Sequence, residues 1–258
     1  GQLPTWGIFD DGSGNSTTVT DVSKALGRSP GVVGWYVQAA STWPAGTVDG
    51  PRWDDNAPRV RSVLAAGQAP MITWEMWKDA TPGDNPMPLT AISQGYFDDY
   101  FDSWAAGVKT VSPGIVYLRI FHEMNLTGQY PWSVYPGDRY HNTPAQLTAA
   151  WRHIVSLVQG IAPNVRFMWS PNEPCGKCVP LQRLYPGDRW VNLAGFTAYK
   201  NRDHGVWIRG VDHLLSNAIL ADNAVGATFA SYDGYLTDSL LVGESANIGT
   251  PRADEPHG

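Results

Sequence analysis

Strand-like and helix-like stretches take turns along this chain, and that order restricts the fold more than any single motif. Apolar runs rich in β-branched and aromatic residues occur at Trp6–Phe9, Val32–Val37, Met71–Trp74, Ile115–Phe121, Val165–Trp169, Leu193–Ala198 and Leu240–Gly243. Between them, apolar spacing predicts helices over Val19–Leu26, Pro58–Ala66, Ile92–Lys109, Ala145–Gln159 and Ile208–Leu220. Tyr96, Tyr100 and Trp104 recur at every fourth position and so share one helical face. Thr143-Pro144 supplies a cap and a first-turn proline for the helix that follows. Alternation of this kind implies a parallel sheet with helical crossovers. The length of 258 residues matches one (β/α)8 TIM barrel of about 250, so residues 1–258 are read as a single α/β barrel domain. Seven strands are visible and the eighth is not. Only fourteen residues follow Glu244, too few for a helix and a strand, so a truncated or irregular C-terminal end is expected. No internal repeat or linker is expected to divide the chain.

Glutamate is placed unevenly on this scaffold. Of five glutamates, Glu75, Glu123, Glu173 and Glu244 fall where apolar strands run out, and Glu255 lies in the tail. A helical surface would scatter this good helix former along exposed faces. The downstream rim of a parallel barrel is where its active site is built. Paired carboxylates there suggest cleavage of a glycosidic bond, with one acid that must stay protonated and one nucleophile that must stay ionised. Glu123 and Glu244 both end strands on the expected rim. With two-residue alternation, Arg119, Phe121 and Glu123 would share a face, so Arg119 would point into the barrel beside the carboxylates.

The bulk composition removes other classes. A net charge of −6 without a basic run argues against nucleic acid. No stretch approaches the roughly 20 apolar residues of a membrane span. No signal peptide precedes Gly1, as in a processed, secreted chain or a trimmed one. Cys175 and Cys178 sit alone in a proline-bracketed loop, without the second pair that a zinc site needs. A small disulfide of a secreted protein is the favoured reading, two free thiols the other. No metal or cofactor is expected.

Arg119-Ile-Phe-His-Glu-Met-Asn125, followed by Tyr130-Pro-Trp132, resembles the acid/base strand of glycoside hydrolase family 26. Met71-Ile-Thr-Trp-Glu75 is similar to that family's third strand, and Trp151-Arg-His with Asn164 to Asn172 to its fourth helix and fifth strand. Tyr185-Pro-Gly-Asp188 and Gly195-Phe-Thr-Ala-Tyr199 are similar to its sixth strand region, and Val242-Gly-Glu244 to its nucleophile strand. The resemblance implies a retaining, endo-acting enzyme, most often a β-mannanase, sometimes a mixed-linkage β-glucanase or β-1,3-xylanase. Carried over, Glu123 would be the acid/base and Glu244 the nucleophile. His122 would bind sugar at the cleavage point, Tyr199 would orient the nucleophile, and Arg119 matches the arginine four residues before the acid. The family's Trp-Phe-x-Trp is here Gln129-Tyr-Pro-Trp132, which puts Gln129 where a stacking tryptophan is usual.

Glu75 is expected to contact sugar hydroxyls or support the rim, and Glu173 is read as a loop charge. Trp74, Trp77, Trp132, Trp169 and Trp207 are candidate sugar platforms, while Trp6 and Trp35 are read as core. The partner is thus a polysaccharide or oligosaccharide met by a secreted monomer. A silent carbohydrate-binding barrel and a metal-dependent hydrolase are the rival classes. Asn15 and Asn125 each open an N-x-Ser/Thr acceptor, and a glycan on Asn125 would obstruct the cleft.

Overall fold

The computed structural model describes residues 7–10, 17–39, 41–42, 47–48, 52–77, 87–172, 174–195 and, within 204–249, the strands alone. Two compact units are present: residues 9–18 and 33–197, and residues 1–8, 19–32 and 198–258. The elements up to residue 195 run β1 (Gly7–Phe9), α1 (Thr17–Leu26), β2 (Val32–Gln38), β3 (Ser41–Thr42), β4 (Thr47–Val48), α2 (Trp53–Ala65) and β5 (Ala69–Glu75). They continue through α3 (Leu89–Ser93), α4 (Asp98–Lys109), β6 (Val116–Ile120), α5 (Pro144–Ile161), β7 (Val165–Trp169), α6 (Leu181–Leu184) and β8 (Leu193–Ala194).

Six of these strands form one sheet in the order β1-β2-β5-β6-β7-β8, with β3 and β4 as a separate antiparallel ribbon. The pairs β5–β6, β6–β7 and β7–β8 are parallel, with Met71 opposite Tyr117, Val116 opposite Val165 and Met168 opposite Leu193. This is a parallel-strand half-barrel. Its strands bury alternate residues, as Val116, Leu118 and Ile120 of β6 show, and the helices cover that face. Trp74 of β5 is wholly buried against Tyr100, Phe101 and Trp104 of α4. Trp53 of α2 packs edge-on to Trp104 at 5.9 Å. The two helices approach this closely because residue 107 is glycine; a Cβ there would fall inside the Trp53 ring.

Several predicted boundaries move. The helix expected from Pro58 starts at Trp53, because the Arg52 N–H is capped by the Asp55 carboxylate at 2.7 Å and Trp53, Asn56 and Ala57 are buried. That burial outweighs the backbone hydrogen bond that an interior proline forfeits. The stretch 92–109 is two helices, since Gly95 takes φ +83 between them. Tyr96 therefore falls in a turn and is 58% exposed, while Tyr100 and Trp104 stay in the core. The cap at Thr143 is as expected: its hydroxyl accepts from Gln146 N, and Gln146 reaches back to the Thr143 N–H.

The segment 204–249 departs from the sequence reading altogether. Helix 208–220 is not a helix, and the run at 240–243 is not a barrel strand. The chain instead forms β9 (His204–Val211), β10 (Leu214–Ser216), β11 (Ile219–Ala221), β12 (Val225–Tyr232), β13 (Tyr235–Thr237), β14 (Leu240–Val242) and β15 (Ala246–Gly249). β9 pairs with β12 and β12 with β15, β10 with β13, and β11 with β14, all parallel. Every one of these pairs is offset by 21 positions: Trp207 with Thr228, Leu214 with Tyr235, Ile219 with Leu240, Ala227 with Ile248. Strand triplets that stack at a constant offset are successive coils of a solenoid. This is an internal repeat, and its trace in sequence is slight: Gly205, Asp212, Leu215 and Leu220 recur as Gly226, Asp233, Leu236 and Leu241. The helical reading failed because Ile208, Val211 and Leu215 mimic a helix face although they lie on two successive strands, β9 and β10.

Candidate active site

The site is built where β6 ends. The alternation that places Arg119 on the inner face stops at Ile120, because Phe121 and Glu123 both take the left-handed backbone, with φ 45 and 53. The expected face shared by Arg119, Phe121 and Glu123 is therefore broken. Phe121 turns into the helical layer, against Trp151 and Trp132, and His122 takes its place beside Arg119. Two non-glycine residues in this region cost on the order of 1–3 kcal/mol each, and such strain persists only where surroundings over-determine it. Here the backbone is held on every side. His122 C=O accepts from the Trp132 indole at 2.8 Å, Glu123 N–H donates to Ser170 C=O at 2.7 Å, and Met124 C=O accepts from Val134 N–H at 2.7 Å.

His122 is 1% exposed, and both its ring nitrogens lack a hydrogen-bond partner. Nε2 lies 3.7 Å from Glu75 Oε1. Burial, and then the Arg119 charge, push the imidazole down to about 3, so it faces Glu75 as a neutral ring. Glu75, at the end of β5, is buried and its carboxyl is raised, first by burial and also by the negative charge of Glu123. The Gln38 amide, 3.1 Å from Oε2, the Trp77 indole and Arg119 offset part of that rise. The Trp77 N–H itself completes no hydrogen bond. Arg119 is half-buried, donating to Thr73 Oγ1 at 2.9 Å and to the Tyr36 hydroxyl at 3.1 Å. Glu123 is half-buried.

Of the residues expected in the site, Glu75, Arg119, His122, Glu123, Trp77 and Trp132 are thus gathered on the ends of β5 and β6 and the loop after β6. Trp132 does not offer a free face. It is 1% exposed and stacks on Tyr130, ring centroids 4.8 Å apart and 3° from parallel. Tyr130 covers it and lies 4.6 Å from the His122 ring. Burial and the Glu123 charge raise the Tyr130 phenol, which stays protonated. Trp74 is core, Trp77 is buried edge-on to Tyr130, and Trp169 is half-buried edge-on to Tyr185 at 5.2 Å. Glu173, Tyr199 and Glu244 lie outside the described residues, as does the Trp207 side chain. The strand before Glu244, β14, pairs with β11 and not with the six-stranded sheet.

Three residues at the site were not anticipated. Tyr36 is 44% exposed and edge-on to both Phe9 and His122; Gln38 holds Glu75; Tyr130 caps Trp132. Tyr36 and Gln38 alternate with buried residues on β2, so the period-2 pattern of that strand, carried to its end, was their available signal. Cys175 and Cys178 form a disulfide. Among the described residues no group of His, Cys, Asp and Glu could hold a metal ion, and no helix is long and apolar enough to cross a membrane.

Known proteins share this arrangement of strands. A mannanase from Bacillus subtilis superposes with a TM-score of 0.55 at 17% identity, covering 78% of this chain and 65% of that one. A β-mannanase from Bacteroides ovatus gives 0.54 at 18% identity, over 75% of this chain and 61% of that one. At this identity the likeness shows the fold, a (β/α)8 TIM barrel of which six strands form the sheet seen here. A different similarity is local. The mouse cell migration-inducing and hyaluronan-binding protein is 48% identical over 68 residues, which is 23% of this chain and 5% of that protein. The chain therefore spans about a twentieth of the length of that curated relative. The profile described as glycosyl hydrolase family 26 matches residues 94–247, which takes in β6, the His122-Glu123 pair and more than half of the sequence. On that match, the chain belongs to glycosyl hydrolase family 26.

Proposed function

We propose that this glycoside hydrolase is a secreted, monomeric, retaining endo-β-glycanase that acts on β-1,4-mannan with Glu123 as acid/base. The observation that carries the proposal is the His122 ring, buried and unpartnered between Arg119 and Glu75, directly before Glu123. A buried polar group without a partner calls for one, and a sugar hydroxyl supplies it. In double displacement, Glu123 protonates the leaving oxygen, then takes a proton from the water that hydrolyses the glycosyl-enzyme. Arg119 supplies positive charge near His122 and Glu75, and Tyr130 and Tyr36 supply hydroxyls and ring faces to the sugar. Glu75 is the poorer nucleophile: burial raises its carboxyl, which works against the ionised form that a nucleophile needs, and leaves it a contact for sugar hydroxyls. The nucleophile is Glu244, on its resemblance to the family's nucleophile strand, with Tyr199 to orient it and Trp207 among the residues binding sugar.

Glu123→Gln should lower turnover on polymer by about a hundredfold to ten-thousandfold, the range for loss of a general acid. Glu244→Gln should do at least as much, and azide should rescue Glu244→Ala with inverted product stereochemistry. Full activity in Glu244→Gln, or azide rescue of Glu75→Ala instead, would move the nucleophile to Glu75 and remove the second unit from the chemistry. A panel of mannan, glucomannan, lichenan and β-1,3-xylan, with product sizing, tests the substrate. Hyaluronan joins that panel because of the relative named for it.

A further inference from the structure

We propose that Asn125 is a positioning residue for Glu123, acting through the backbone of Asn172; this rests on the reading of Glu123 as acid/base. Asn125 is fully buried. Its side-chain oxygen accepts the Asn172 N–H at 2.7 Å, and its amide nitrogen donates to the Asn172 C=O at 3.0 Å. One primary amide thus takes both backbone groups of a single residue, as a neighbouring strand would. Two residues upstream on each side, the Glu123 N–H donates to the Ser170 C=O at 2.7 Å.

These bonds close a mismatch between two neighbouring segments. Val116 N–H donates to Asn164 C=O, 48 positions on, yet Glu123 N–H donates to Ser170 C=O, 47 positions on, and Asn125 grips Asn172 at that same interval. The β6 side therefore carries one surplus residue between the two backbone bonds. The surplus is absorbed where Phe121 and Glu123 adopt positive φ, a bulge-like device that re-aims a side chain at a strand end. Without the Asn125 amide, the Glu123 N–H bond to the Ser170 C=O is the one remaining tie of these three beyond the positive-φ residues, and the Glu123 peptide can pivot about it. The disulfide loop backs the same point: Cys178 Sγ lies 3.6 Å from the Asn125 C=O. Asn125 acts through the backbone and touches no reacting atom. It decides where the acid's carboxyl sits.

The test compares aryl glycosides whose leaving groups differ in their need for a proton. Dinitrophenolate leaves unaided, whereas phenolate needs the general acid. Aryl β-mannobiosides and β-cellobiosides are measured in single turnover, and the series that the wild type cleaves faster is taken forward. Asn125→Ala should slow cleavage of the phenyl glycoside about tenfold or more and that of the dinitrophenyl glycoside by less than about threefold, with KM little changed. Asn125→Ser, which keeps one hydrogen bond, should fall between and serves if the alanine variant does not fold. Equal slowing of both substrates, or of neither, in a folded variant overturns the positioning role. Glu123→Ala is run alongside. If it too slows both substrates equally, the acid/base reading fails, and that outcome is distinct from failure of Asn125 alone.

Discussion

The six-stranded sheet and the segment 204–249 are both parallel β-structures, yet their pairing is specified in opposite ways. In the sheet, neighbouring strands pair at irregular distances along the chain: Met71 with Tyr117, Val116 with Val165, Met168 with Leu193. Each crossover carries its own helix or loop, and each contact is fixed by particular residues, such as Gly107 beneath Trp53 or Asn164 donating to Val108 C=O and Gly114 C=O. In the second segment a constant offset of 21 fixes every pair. Register there is set by chain length, and no individual contact defines it. A parallel ladder can be encoded by unique packing or by counting.

Deletion of one residue separates the two modes most sharply. Removing one residue from 243–245 should abolish hydrogen-exchange protection where β15 meets β12, because the count is broken. Removing one from 78–86 should leave the Met71–Tyr117 register and its protection intact. Equal loss in both variants would show that the sheet is as length-dependent as the coils. Next in size is Gly107→Ala. Overpacking against Trp53 should cost about 1–3 kcal/mol, read as a lower urea midpoint with unchanged slope, while the same substitution at Gly226 tests whether the repeat tolerates it better. The smallest effect is in acid. His122 titrates from 6.5 when unfolded to about 3 when folded, so the unfolded state binds the extra proton between those values. Stability should be fully present above pH 6.5 and decline as pH falls through that window, on the order of 1–2 kcal/mol by pH 5. His122→Gln should flatten that slope. An unchanged slope would mean that the ring is not held neutral.

Legibility in sequence followed the same division. Strands and helices up to residue 195 were readable because amphipathic helices and fully buried strands leave different periods, and the misplacements fell at caps and at Gly95. The strand that ends before Glu123 was readable through Arg119 to Asn125. Tyr130's role was not, because stacking on Trp132 depends on how the loop folds back. Nor was the break in alternation at Phe121, since no side chain announces a left-handed backbone there. The repeat was missed because its coils share few identities and its short strands copy helical spacing.

The burial of Asn125 bears on how the protein is to be made. Its acceptor triplet with Leu126 and Thr127 is open to oligosaccharide transfer only while the polypeptide is unfolded, since the finished fold encloses the amide completely. A host that glycosylates nascent chains would attach a bulky sugar to the very group that must pair with Asn172. Yeast or mammalian secretion should therefore yield misfolded material, which Thr127→Ala would cure at an exposed position, whereas bacterial expression should need no such change.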